Sequence, residues 1–144
     1  MLTTAFILIG VCVLLLVSQL ASEGIIKPYV EYRKVLGELS YTLIYYANLI
    51  ITAPAHSKRD EQAEISERLR QLSARLRSAI TALPFHELMR LFQLIPPQER
   101  IQDAANRLVR MSNLLLETEK RHDEIRQDMA AIGALLRIDV AKEK

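Results

Sequence analysis

The sequence predicts an all-α protein, in which an N-terminal transmembrane helix precedes a compact bundle of four to five amphipathic helices. Ala, Leu, Arg, Glu and Gln dominate the 144 residues, while glycine and proline number only four and five. The dominant residues lose little conformational entropy in a helix. We predict an anchor at residues 1–22, a juxtamembrane connection at 23–28, the bundle at 29–137 and a flexible tail at 138–144.

The anchor is predicted from an uncharged N-terminal segment. All 19 basic and all 17 acidic residues lie at or after Glu23, and residues 5–17 are almost wholly aliphatic. About 20 helical residues cover the roughly 30 Å of a bilayer's hydrocarbon core. Lipid offers the backbone no hydrogen-bond partners, so a segment that crosses it alone is helical.

A cleaved signal peptide and a buried core helix are the alternatives for this segment. No Lys or Arg precedes the apolar run, and no pair of small residues at cleavage spacing follows it. A core helix that is apolar for five turns is unusual in a chain this short. An uncleaved anchor is therefore favoured. The single cysteine, Cys12, lies inside the run, which excludes a disulfide framework within the chain.

The orientation of the anchor is predicted from the basic residues beside it. Lys27, Arg33 and Lys34 follow the apolar run, whereas only the α-amino group precedes it. Basic residues near a membrane span favour the cytoplasmic side. We therefore expect a single-pass membrane protein with its helical domain in the cytoplasm.

Prolines divide the rest of the chain into helices. Pro28 predicts a kink or a fresh helix start after Gly24, and Thr118 is a candidate N-cap after a break. Residues 55–58 read as a polar linker in which Ser57 is a candidate cap for the next helix. Apolar residues recur every three or four positions between these breaks. Helices are predicted at 29–52, 59–83, 85–94, 98–116 and up to about 137.

Residues 39–53 allow a second interpretation, because they hold no charge. Fifteen residues fall short of the roughly 20 that a transmembrane helix needs. A polar stripe that includes Tyr41, Tyr45 and Asn48 would also face lipid at a cost. A central core helix is therefore favoured over a second span.

No residue pattern predicts catalysis, a cofactor or a metal ion. None of His56, His86 and His122 lies three or four residues from another histidine or a cysteine. His86 is the best placed of them, although a surface or capping role is favoured. Four carboxylates lie in the first turns of the helix predicted at 59–83, where they complement the helix dipole. They are Asp60, Glu61, Glu64 and Glu67. Nucleophile motifs and glycine-rich phosphate loops are absent, so we do not expect an enzyme.

Arginines are concentrated in the middle of the chain. Residues 68–110 hold eight arginines against three acidic residues. Such an excess suits anionic lipid headgroups or an acidic partner, but a solvated face with intrahelical pairs is favoured. The net charge of only +2 and the absence of interleaved aromatic residues argue against nucleic-acid binding.

These features favour a non-enzymatic protein-interaction or adaptor module held at the membrane. Its expected partners are the lipid bilayer and an unidentified protein, and a homo-oligomer is also compatible with the sequence. The residues predicted to contact a partner or lipid are Tyr41, Tyr45, Arg70, Arg77, Arg107 and Arg110. Two alternatives are a structural, envelope-spanning protein of the spanin type and a small membrane-active effector that uses residues 39–53 as a second membrane segment.

Overall fold

The computed structural model describes residues 2–47, 59–117 and 122–138. Within these ranges every regular element is helical, which confirms the all-α prediction. A π-helical segment, Ser22–Ile26, lies between the first two α-helices. The α-helices are α1 (Leu2–Ala21), α2 (Lys27–Tyr45), α3 (Arg59–Thr81), α4 (His86–Leu91), α5 (Gln98–Leu116) and α6 (His122–Leu136).

Helices α1 and α2 form one continuous helix through the π-helical segment. No fresh helix start follows Gly24, because Gly24 lies inside this segment. Proline lacks an N–H, and its ring crowds the carbonyl four residues earlier in an α-helix. The wider π turn ends where the Lys27 N–H donates to the Ser22 carbonyl, directly before Pro28. The helix therefore accommodates Pro28 without breaking, and the predicted juxtamembrane connection is helical.

Helix α1 is not covered by the described part of the chain. All of its side chains from Thr3 to Leu20 are exposed. The long helix that contains α1 is the one described helix that is long and apolar enough to cross a membrane. The core of the bundle begins only at Tyr32, within α2.

The bundle packs its long helices in the order α2, α3, α5 and α6. Ion pairs join Glu31 of α2 to Arg75 of α3, and Glu38 to Arg68, so these two helices are antiparallel. Their shared core includes Leu39 and Leu43, so the described part of residues 39–53 belongs to the bundle. The other core residues include Leu69, Leu72, Leu76, Ile101, Leu108, Met111, Ile125 and Ile132.

Two buried serines of α3 form hydrogen bonds to the backbone of α5. The buried Ser66 hydroxyl donates to the Ser112 carbonyl at 2.9 Å, and the Ser73 hydroxyl donates to the Ala105 carbonyl at 2.9 Å. Each bond satisfies a polar group that would otherwise be buried without a partner. The pairing also shows that α3 and α5 are antiparallel.

This antiparallel arrangement gives the bundle two ends. The end of α3 returns to the level of the π-helical segment, since Ala82 lines one cleft together with Glu23 and Lys27. We call this the proximal end, because it lies nearest α1; α4 follows α3 there. The opposite end, which contains the last turn of α2, is the distal end.

Several predictions lie outside the described residues. These are the part of the second predicted helix beyond residue 47, the linker at 55–58 with Ser57, the cap at Thr118 and the tail from residue 139. Helix α2 ends at Tyr45, with Tyr46 as its C-cap, within the helix predicted at 29–52. The other described helix bounds agree with the predicted ones to within three residues, and α5 matches at both ends.

Candidate interaction surfaces

The distal end of α2 carries an exposed aromatic surface. Tyr41 is 58% exposed, Tyr45 is 64% exposed, and Ile44 between them is also exposed. The rings of Tyr41 and Tyr45 stack with their centroids 5.4 Å apart, one helical turn from each other. Tyr46 meets the Tyr45 ring edge to face at 4.9 Å. We call Tyr41, Ile44 and Tyr45 the distal tyrosine patch.

The distal tyrosine patch is not needed to close the core. Thr42 and Leu43, on the other face of the same turn, are fully buried. Tyrosine combines a large apolar ring with a hydroxyl that stays hydrated or finds a partner, and it is enriched at protein interfaces. The patch therefore offers apolar area and hydrogen bonding on one ordered surface.

Two of the predicted arginines tie α3 to α5. The Arg70 guanidinium donates to Ser112 Oγ at 3.2 Å and to Asn113 Oδ1 at 2.9 Å. Arg77 donates to Asn106 Oδ1 at 2.7 Å. Both side chains therefore have a role inside the domain, in addition to any contact outside it.

The other two arginines surround a buried carboxylate on α6. Asp128 has a side chain only 1% exposed, and its oxygens lie 3.0 Å from Arg107 Nη1 and 3.2 Å from Arg110 Nε. Arg107 also bonds to Asp103, and Arg110 also bonds to Glu124. The hydrogen bond to Asp103, together with the bond to Asp128, raises the pKa of Arg107. We call these five residues the Asp128 network.

The six residues predicted to bind a partner fall into two groups, exposed tyrosines and arginines that bond to a neighbouring helix. Tyr41 and Tyr45 stack on each other at the surface, whereas the four arginines bond to α5 or α6. The sequence favoured arginine pairs within one helix, but most of the observed pairs join different helices. A partner contact by these arginines stays a prediction.

The segment around α4 forms a second exposed nonpolar surface, which the sequence did not predict. Five of its seven large apolar side chains are between 51% and 74% exposed. The other two, Met89 and Ile95, are buried in the core. We call the exposed group the proximal apolar surface; it consists of Phe85, Leu88, Leu91, Phe92 and Leu94.

Two residues with left-handed backbone conformation bracket α4. Phe85 has φ of 56° and Gln93 has φ of 57°. At the C-terminal end, the Gln93 N–H donates to the Arg90 carbonyl and the Leu94 N–H donates to the Met89 carbonyl, which is a Schellman motif. A left-handed conformation is strained for a bulky residue such as Phe85. Met89 and Ile95 are the side chains that join this segment to the core.

The described residues near His86 do not assemble a chemical site. His86 Nδ1 lies 3.9 Å from the exposed carboxylate of Glu87. Across the described ranges, no group of three His, Cys, Asp or Glu side chains is placed to hold a metal ion. His56 lies outside the described residues.

Comparison with known proteins finds no relative of this chain. No protein-family model, curated protein or solved structure matches the chain.

Proposed function

We propose that the protein is a single-pass, membrane-anchored, non-enzymatic interaction module. Helix α1 holds the bundle at the bilayer, and the distal tyrosine patch binds a protein partner. One observation carries this proposal. The rings of Tyr41 and Tyr45 stack on each other and are both exposed, at the end of the bundle farthest from α1.

Membrane anchoring is supported by the apolar surface of α1. Eleven large hydrophobic side chains between Phe6 and Leu20 are more than half exposed. Burial of each such side chain contributes about 1.5–3 kcal/mol, so a bilayer would stabilise this helix strongly. A contiguous exposed apolar surface of this size is typical of contact with a membrane or another protein.

The distance from the bilayer favours a protein as the partner of the distal tyrosine patch. Tyr41 follows Ser22 by 19 residues, or about 28 Å along a helix. The headgroup layer on each side is only about 5–8 Å thick. On a helix that leaves the membrane steeply, the patch lies in water, where exposed tyrosines suit a protein partner with apolar and hydrogen-bonding groups.

Site-specific photocrosslinking in cells tests the partner. Benzoylphenylalanine replaces Tyr45, and a control protein carries it at the exposed Gln127 of α6. We expect an adduct with a different protein from position 45 only. No adduct above the control, or only an adduct between two copies of the 16.4 kDa chain, would contradict the adaptor proposal. The second result would favour a homo-oligomer.

We further propose that the bundle faces the cytoplasm. Lys27 and Lys34 lie on the bundle side of α1, even though each pairs with a nearby glutamate. A reporter that is active only in the cytoplasm, fused to the C-terminus, should be active. Activity of the opposite, externally active reporter would reverse this orientation without affecting the anchor itself.

A further inference from the structure

The proximal apolar surface lies close to the point at which α1 would leave the bilayer. Ala82, in the turn after α3, lines a cleft together with Glu23 and Lys27 of the long helix. Phe85 follows Ala82 by three residues. The exposed side chains around α4 therefore start at the level of the first charged residues after the apolar run.

This level coincides with the headgroup layer when α1 spans a membrane. Glu23 and Lys27, which line the cleft together with Ala82, follow Ser22 by one and five residues, or about 1.5 and 7.5 Å of helix. Each headgroup layer is about 5–8 Å thick. The segment from Phe85 to Leu94 is thus brought to the membrane surface by the same fold that packs α3 against α2.

The chemistry of the surface matches the lipid interface. Its five apolar side chains are phenylalanine or leucine, without hydroxyl groups, and they occupy a segment of only ten residues. The exposed Arg90 and Glu87 side chains form an ion pair at 2.8 Å beside them. Interfacial helices combine an apolar face, inserted into the headgroup and acyl boundary, with a charged face in water.

We propose that the proximal apolar surface inserts into the lipid interface beside α1 and forms a second membrane contact of the bundle. This inference rests on the anchoring by α1 proposed above. The buried side chains of Met89 and Ile95 join the segment to the core and leave the five others exposed. Once α1 is in a bilayer, lipid is the nearest apolar environment to this surface.

Depth measurements on the full-length protein in vesicles test the proposal. The background variant is Cys12→Ala, and single cysteines at Leu88, Leu116 and Val17 carry a nitrobenzoxadiazole fluorophore. Leu116 is the matched control, because it is an exposed leucine in the last turn of α5, at the distal end. Val17 reports on α1. The vesicles contain phosphatidylcholine and phosphatidylglycerol, with or without a lipid that carries a shallow nitroxide.

We expect the probe at Leu88 to lose about half of its emission to the nitroxide lipid, as for a group inserted about 5–10 Å deep. The probe at Leu116 should lose little emission and should remain accessible to aqueous iodide. Equal iodide quenching at both positions would overturn the proposal. Disulfide-linked dimers of the unlabelled Leu88→Cys variant, formed with added copper phenanthroline as the oxidant, would also overturn it, because a second copy would then cover the surface.

The probe at Val17 separates failure of this inference from failure of the anchor. Strong quenching at Val17 with none at Leu88 leaves the anchor intact and overturns only the second contact. No quenching at Val17 overturns both. A probe at Leu91, the most exposed residue of the surface, serves as an independent reporter if Leu88→Cys lowers the thermal stability. Leu88→Glu with Phe92→Glu should then reduce quenching at Leu91 to the level at Leu116.

Discussion

The proximal apolar surface and the distal tyrosine patch lie at opposite ends of one bundle and differ in chemistry. The proximal surface consists of phenylalanine and leucine, whereas the distal patch contains two tyrosines and an isoleucine. A phenylalanine ring gains most from a fully apolar environment, while a tyrosine hydroxyl keeps a partner in water or in a polar interface. The contrast indicates that the proximal surface suits lipid and the distal patch suits a protein.

The two surfaces also differ in how the backbone supports them. The distal patch lies on a regular stretch of α2, and its exposure follows from spacings of three and four residues. The proximal surface lies on a two-turn helix between two residues of positive φ. Among the described residues of the two surfaces, positive φ occurs beside the proximal apolar surface and not in the distal tyrosine patch.

The largest predicted effect is a loss of stability of the bundle, which carries both surfaces. Asp128→Ala deletes the buried carboxylate that pairs with Arg107 and Arg110 on α5. We expect a loss of about 1.5–3 kcal/mol in the free energy of unfolding, the usual contribution of hydrogen bonds to charged groups, measured by urea titration in detergent. The control is Asp103→Ala, whose partly exposed carboxylate should contribute less than about 1 kcal/mol. An equal loss in both variants would contradict a central role for Asp128.

The second prediction separates the two surfaces. Tyr41→Ser with Tyr45→Ser should lower the yield of partner photocrosslinking from position 44 about tenfold, because buried aromatic residues dominate interface energies. Leu88→Ser with Phe92→Ser should leave this yield unchanged. If the proximal pair reduces the yield as much as the distal pair, the division of roles between the two ends is wrong.

A smaller effect tests the strain at the proximal end. Gln93→Gly should stabilise the bundle by about 0.5–1 kcal/mol, because glycine adopts positive φ without a steric cost. Gln93→Ala is the matched control and should not stabilise, since alanine keeps the Cβ. Thermal unfolding of the two variants under identical conditions measures the difference. Greater stability for alanine than for glycine would rule out a left-handed conformation at this position.

The smallest effect at neutral pH concerns Tyr32, the buried counterpart of the distal tyrosines on α2. Burial raises the pKa of this phenol to about 12, from an ordinary value of 10. The folded state therefore keeps a proton that the unfolded chain loses, so stability falls as pH rises from 10 through 12. Tyr32→Phe should change stability by less than about 1 kcal/mol at pH 7 and should weaken this alkaline loss. An unchanged alkaline loss, measured by urea titration at pH 7 and pH 11, would contradict the assignment to Tyr32.

Helix existence and core positions could be predicted from the sequence, because they depend on local periodicity. Leu69, Leu72 and Leu76 repeat at helical spacing, and all three are buried. The arginine contacts were harder to predict. Whether Arg107 pairs along its own helix or across to Asp128 depends on how α5 and α6 pack, and spacing along one helix does not encode that arrangement.

The proximal apolar surface could not be predicted as exposed from periodicity alone. Seven large apolar residues lie between Pro84 and Pro96, and a helix of two turns can direct only some of them to a core. That excess of apolar residues in a short, proline-bounded segment was the available signal. Its position beside the long helix depends on the return of α3 toward the first residues of α2, which the sequence does not reveal.

The π-helical segment determines how far the bundle is rotated about the axis of the long helix. A π turn accommodates one more residue than an α turn, and each residue of an α-helix rotates the chain by about 100°. If all five residues adopted regular α geometry instead, the bundle would turn by about 100° relative to α1, and deletion of Gly24 would compensate for that turn. Residues 22–26 therefore determine the direction, around the axis of the long helix, in which the distal tyrosine patch faces.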